Sequence, residues 1–282
     1  MLEWEMETWK HIQTPKYPMS DSKWLVSERD FAATYDGGSY VDAWDAVEQY
    51  RRATSYAFRN GVKSGATASA LDLPRSRLRT WIDDGGVPDV VRGLESAHEH
   101  GWLKCKYDDA TFQGLNALVA NVFSGGSIAE ETYMPSFALN HRGDDSHVFD
   151  ALELAGVEYD VIERGPDRAN EVRPTADGSV LGRVLSTLGA PIGPKSDQHL
   201  TLPPYLENAP DDVKATFVYA YLENRAIEHE GRATLHIEEK RNRSYLADLA
   251  EFINEVAGGG VDLRERVIVI SADAARELGT VR

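Results

Sequence analysis

The spacing of apolar residues changes along the chain, and the changes divide it. From Val41 to Arg59, the stretch VDAWDAVEQYRRATSYAFR places Trp44, Val47, Tyr50, Thr54 and Phe58 three or four residues apart. That is the period of an amphipathic helix, and Gly61 is positioned to end it. A short helical unit follows, GATASALDLPRSRLRTWIDDGG, and Pro88 then opens a helix running through VVRGLESAHEH to Gly101. KCKYDD reads as a linker, with Asp108 or Asp109 available to cap the next helix. Beyond it the pattern predicts helices over 110–124, 146–156, 178–189, 211–226 and 243–257, with strands around 127–141, 158–164, 170–175, 232–240 and 261–271. The order helix, strands, helix occurs twice, which predicts an α+β domain with an internal duplication. The expected organisation is an arm of unassigned role over 1–40, an all-α unit over 41–103, and a duplicated domain over 104–282 with halves of about 109–190 and 191–282.

Within the all-α unit, Ala68 to Ile82 reads as two short helices crossed about a turn. Leu71 and Leu73 sit around the turn, and Leu78, Trp81 and Ile82 share one face of the second helix. Pro74 suits the start of that helix, where its missing N–H costs nothing. Arg75, Ser76 and Arg79 then face outward, flanked by Arg77 and Thr80. Arginine there pairs with the O6 and N7 of guanine or grips phosphate. Between Arg59 and Trp81 the bases Arg59, Lys63, Arg75, Arg77 and Arg79 meet a single acid, Asp72. Local charge therefore reverses in an otherwise acidic chain. The unit resembles helix-turn-helix DNA-binding domains; the plainer reading is a helical bundle with a solvated arginine face.

Residues 118–128, LVANVFSGGSI, resemble the motif of the LAGLIDADG homing endonucleases, and one hundred residues later VYAYLENRA, Val218 to Ala226, resembles a second copy. The intervening GAPIGPKSDQHLTLPPYLENAP is similar to that family's approach to its second motif. The resemblance covers about 105–280. It implies two αββαββα halves, two antiparallel sheets forming a saddle over DNA, and two motif helices side by side at a pseudo-two-fold axis. Ala120, Ser124, Gly126, Ala220 and Ala226 supply the small residues such packing needs. The family's chemistry needs a carboxylate at the eighth motif position of each helix to hold magnesium, and this sequence has Gly125 and Arg225 there. Glycine offers no ligand, and an arginine about 5 Å from a divalent ion is repelled by roughly 6 kcal/mol even at an effective dielectric of about 20. The sixth motif position is Phe123 in one copy and Glu223 in the other, and Glu130 and Glu131 lie just beyond the first helix, where a displaced metal site remains open. His141, His147, His199, His229 and His236 have no paired metal-ligand spacing. Carried onto this chain, the resemblance implies a DNA-facing surface from Arg164, Arg168, Arg173, Lys240, Arg241 and Arg243, with Arg225 at the former metal centre.

Charge complicates this picture. The 282 residues carry 46 acids against 30 bases, a net charge of -16, whereas DNA-binding domains are usually basic. Only nine of the bases are lysine and the acids are spread along the chain, a pattern suited to a high-salt cytoplasm where an acidic surface stays hydrated. One cysteine, Cys105, forms no internal disulfide, no apolar run approaches the roughly 20 residues of a membrane span, and the first residues lack signal-peptide order. The expectation is a cytoplasmic, sequence-specific binder of double-stranded DNA without nuclease activity or cofactor. It would be a transcriptional regulator, monomeric through its internal pseudo-two-fold or homodimeric. It is similar to bacterial sporulation-type regulators that join a decayed homing-endonuclease domain to a helix-turn-helix, in a different domain order. Two alternatives stand beside it: an active nuclease of a mobile element with a shifted metal site, and a protein-interaction or ligand-sensing module that has lost DNA.

Overall fold

The computed structural model describes residues 24–139, 146–165, 169–228 and 233–279. Five helices come first: α1 (Glu28–Ala32), α2 (Ala43–Asn60), α3 (Ser64–Leu71), α4 (Arg75–Leu78) and α5 (Asp89–Glu99). Asp42 caps α2 by accepting from the Asp45 amide, and Gly61 ends it in the left-handed conformation. Asp72 makes the left-handed turn between α3 and α4, Pro74 stands at the start of α4, and α4 widens into a π-helical turn at Arg79–Asp83. No helix among the described residues is long and apolar enough to cross a membrane.

The remainder repeats one order of elements twice. The first copy comprises α6 (Ala110–Ser124), β1 (Ser127–Ile128), β2 (Pro135–Ala138), α7 (Ser146–Leu154), β3 (Tyr159–Ile162), β4 (Glu171–Pro174) and α8 (Gly178–Thr187). The second comprises α9 (Asp211–Arg225), β5 (Ile227–Glu228), β6 (Leu235–Glu238), α10 (Arg243–Val256), β7 (Val261–Arg264), β8 (Val267–Ile270) and α11 (Ala272–Glu277). Each copy forms an antiparallel four-stranded sheet, ordered β1-β2-β4-β3 in one and β5-β6-β8-β7 in the other. Two strand expectations are corrected here: 127–141 and 261–271 are each two strands joined by a turn. Tyr133 and Glu265 supply the left-handed turn residues, so no glycine marked either reversal.

The two copies meet along α6 and α9, which pack more extensively than any other pair of elements. Ala120 and Ala220 are fully covered, Phe123 lies edge-on to Phe217 at 6.2 Å, and the Asn116 amide donates to Val213 O at 2.9 Å while accepting from the Tyr205 hydroxyl at 2.6 Å. The α6 to α7 contact is equally informative. A β-carbon on Gly114 would lie 2.6 Å from Ala151 O and 2.8 Å from Ala155 N, so the glycine lets α7 close onto α6. One hundred residues on stands Lys214, whose ammonium reaches across to Glu255 on α10 at 2.7 Å. α10 lies over β7, where Val261 is buried, and meets α9 through Phe252, which lies edge-on to Phe217 at 5.9 Å. In the first copy Phe149 of α7 stacks on Tyr159 of β3 at 5.5 Å, yet Tyr159 and Val161 remain exposed.

Residues before α6 share the same core. Val26, Phe31, Ala32, Leu94 and Trp102 are buried in one cluster with Phe112 and Leu181, and the Trp102 indole donates to Ala155 O at 2.7 Å. The 104–109 segment is held from outside: Lys104 N–H donates to Val26 O at 2.9 Å, and Cys105 is buried, its thiol pushed up to about 12 by burial. Glu28 fastens α1 to its neighbours through Arg51, His98 and Lys104 at 2.8–2.9 Å. Burial alone would raise its carboxyl, but hydrogen bonds from His98 and Lys104 and the charge of Arg51 hold it well below the usual carboxylate range.

Gly114→Ala is expected to cost about 1–3 kcal/mol, because the added methyl meets backbone rather than a movable side chain. Urea unfolding of the full chain measures it, and an unchanged midpoint refutes the close approach as a constraint.

Candidate nucleic-acid interface

The short helices α3 and α4 owe their crossing to what lies beneath them. Leu78 and Trp81 are buried; the Trp81 ring stacks on Tyr40 at 6.5 Å and meets Tyr50 edge-on at 5.5 Å. Asp83 ties the end of the second helix to the start of the first, accepting from the Ser64 hydroxyl at 2.5 Å and the Ser64 amide at 3.2 Å. Those hydrogen bonds, from hydroxyl and amide, hold its carboxyl below its ordinary value. On the opposite side Arg75, Ser76, Arg79 and Thr80 are exposed together, with Lys63 exposed at the start of α3. Arg79 has only a 3.9 Å solvent-exposed ion pair to Asp84, an interaction of little strength. Arg77 differs from these. Its guanidinium lies 4.2 Å over the Tyr40 ring and donates to Gln49 Oε1 at 2.6 Å, fastening α4 to α2.

Alternation along the strands sets which residues face away from the core. In the first sheet Phe137, Val172 and Pro174 point inward, so Ser136, Ala138, Glu171 and Arg173 share the outer face, where Asp160 pairs with Arg173 across the β3–β4 ladder. Arg164 and Arg173 both bind Glu171 Oε2, at 2.6 and 3.0 Å, and Ser136 Oγ donates to the same oxygen at 2.7 Å. Burial works to raise the Glu171 carboxyl; the hydrogen bonds from Arg164, Ser136 and Arg173 outweigh it and lower it. In the second sheet the outer face carries His236, Glu238, Val267 and Val269, with Asp262 and Arg264 opposite Val269 and Val267. Among the described strand residues, neither face has an excess of positive charge. Lys240 and Arg243 are exposed beyond β6, Arg243 donating to Glu265 O at 3.3 Å. Arg168 lies outside the described residues.

At the feet of α6 and α9 the structure gathers residues that the sequence reading had dispersed. Arg225 lies 2.8 Å from Oε1 of the buried Glu239, and Arg241 lies 3.7 Å from its Oε2. Arg241 therefore points inward to this cluster and is not a surface residue. Tyr221 Oη donates to Glu239 Oε2 at 2.8 Å, and Tyr245 Oη lies 3.3 Å from Tyr221 Oη. Asn224 donates to Ser124 Oγ across the helix pair at 2.9 Å, beside Gly125. Gly126 serves the adjoining sheet, since a β-carbon there would lie 2.7 Å from Ser136 O.

Lys195, which sequence reasoning passed over, caps α6. Its ammonium donates to the carbonyls of Val122 at 2.5 Å, Phe123 at 3.2 Å and Gly126 at 2.8 Å, where the helix dipole is negative. Burial, then the charges of Arg241 and Arg225, bring it down to about 7, with Glu239 opposing. Lys195 thus lies within electrostatic reach of the Arg225–Glu239–Arg241 cluster where α6 and α9 end. The remaining candidates are scattered: Glu130 and Glu131 are exposed, His147 is buried edge-on to Tyr219 at 6.4 Å, His199 lies 3.4 Å from Ser244 Oγ, and His141 and His229 fall outside the described residues.

No family model matches the chain, and none of the curated proteins matches it. Among solved structures it is similar to the crystal structure of I-DmoI in complex with DNA and Mn, at 12% identity and a TM-score of 0.37, over 60% of this chain and 96% of that one. A likeness of that size assigns no function.

The lowered Lys195 has a pH consequence. Between about pH 7 and the unfolded-chain value of roughly 10.4, the unfolded chain binds the proton that the folded chain has released. Unfolding free energy from this group therefore rises with pH across that window and levels off below it. Lys195→Met should lose this slope in urea titrations at successive pH values; an equal slope in both proteins contradicts the assignment.

Proposed function

We propose that the chain is a sequence-specific double-stranded DNA-binding protein that does not cut DNA, acting as a transcriptional regulator. The observation that carries this reading is the solvent face of α4 and its π-helical turn, where Arg75, Ser76, Arg79 and Thr80 stand open above buried Leu78 and Trp81. A short second helix, set against a first and presenting two exposed arginines, has the chemistry of a major-groove reader of helix-turn-helix type. Lys63 flanks it as a phosphate contact.

The duplicated domain, whose motifs resemble those of homing endonucleases, contributes in a lesser role. Its sheets would form the saddle, but Arg164 and Arg173 share the single carboxylate of Glu171, and Asp262 and Glu238 lie on the other outer face. Lys240, Arg243 and the half-exposed Arg225 are the cations it can offer to a DNA backbone. Absence of cleavage is supported by residue chemistry: Gly125 brings no oxygen, and Arg225 and Arg241 repel a divalent ion from the helix feet. Arg77, held by Gln49 and Tyr40, serves the fold of the reader and not DNA.

Selection from genomic fragments in high potassium chloride, followed by titration against salt, tests the reading. Enrichment of defined sequences is expected, with duplexes left intact in magnesium. Arg75→Ala and Arg79→Ala should each weaken binding by about 1–3 kcal/mol if they read bases, or reduce the salt slope by about 1 if they hold phosphate. No enrichment, or variants that bind like the parent, sinks the proposal; magnesium-dependent cutting overturns its second half.

A further inference from the structure

A cavity of about 490 Å³ opens where the N-terminal helices meet the duplicated domain. Tyr35 and the residues Asp89, Arg92, Gly93 and Ser96 line it from α5's side; Thr132, Asp177, Ser179, Val180 and Arg183 line it from the other. Its walls are shaped by two glycines. A β-carbon on Gly93 would fall 1.9 Å from the Tyr35 hydroxyl, and one on Gly182 would fall 1.7 Å from Tyr133 O. The two tyrosines can therefore close on Arg183 from both sides, with ring centres 3.8 and 3.9 Å from its guanidinium carbon, while its Nη1 donates to Thr34 O.

The polar groups of this cavity are of both signs, and they are incompletely used. Asp177 stands at the N-cap of α8 in the left-handed conformation, yet no side chain caps the helix, and the Asp177 carboxylate turns instead to His100 at 3.1 Å. The first-turn amides of α8 at Ser179 and Val180 thus have no side-chain cap at the positive end of the helix dipole. Asp89 and Arg92 pair with each other at the rim, both largely exposed. The Ser96 hydroxyl oxygen is shut off from solvent and has no hydrogen-bond partner among the described residues. A buried hydroxyl of that kind usually marks a missing acceptor or donor.

We propose that this cavity binds a small zwitterion of the α-amino acid class. The carboxylate is received by the first turn of α8 with Arg92, and the ammonium by Asp89 and Asp177. A simple anion would meet two aspartates, and a simple cation would meet Arg183 and the helix N-terminus; one molecule carrying both charges satisfies both sets. The site lies at a junction, which is a common place for ligand pockets, and it is independent of whether the chain binds DNA.

Amide spectra of the ¹⁵N-labelled full chain test it, with the proteinogenic L-amino acids added singly and acetate and methylammonium at matched ionic strength as half-ligands. At least one amino acid should shift Ser179 and Val180 saturably, with each half-ligand at least about tenfold weaker, the worth of one charge-assisted hydrogen bond. Asp89→Asn and Arg92→Gln, both at the exposed rim, should each weaken it about tenfold with the melting temperature preserved. No saturable shift overturns the proposal. So does acetate binding as well as the amino acid, or binding unchanged in both variants.

Discussion

The contact between α6 and α9 is the constraint from which the rest of the duplicated domain follows. Two helices that carry Ala120, Ser124 and Ala220 approach closely, and the polar groups trapped between them are paired: Asn116 with Val213 O and Tyr205, Ser124 with Asn224. These bonds fix register as well as proximity, whereas the buried side-chain amide of Asn121 on α6 has no hydrogen-bond partner among the described residues. Each sheet then hangs from the foot of its own helix, through β1 and β5.

The same close approach crowds charge at the helix ends. Lys195 satisfies the last carbonyls of α6, while Arg225 and Arg241 gather on Glu239. A carboxylate enclosed in this way is held by Tyr221 as well, and it serves as a counter-ion for the fold. An acid bound to two guanidinium groups has little left to offer a metal, which is why the count of acids near the centre matters less than their partners. The duplication is also unequal. Gly114 stands in one copy where Lys214 stands in the other, and α7 packs on α6 more extensively than α10 does on α9.

Much of the fold was legible because the signals were local. The positions of α6, α9 and α10 follow from apolar spacing, and their observed limits fall within a residue of those expected. The two hairpins were misread as single strands because Tyr133 and Glu265 turn the chain without the glycine or asparagine that announces a reversal. The short α11 escaped notice because six residues give too few turns to establish a period.

The candidate interface was legible only in part. Sequence by itself determined the main helices of the duplicated domain, their duplication, the small residues at the helix contact and the lack of an acid at Gly125 and Arg225. Tertiary structure alone decided which cations are free: Arg75 and Arg79 stand open, whereas Arg77 is taken by Tyr40 and Gln49, Arg164 and Arg173 by Glu171, and Arg241 by Glu239. It alone brought Lys195 under the end of α6 and made the cavity around Arg183. The reason is geometric. Periodicity depends on bonds along the chain and is written in neighbouring residues, whereas charge pairing depends on separation in space and is set only once distant segments have packed.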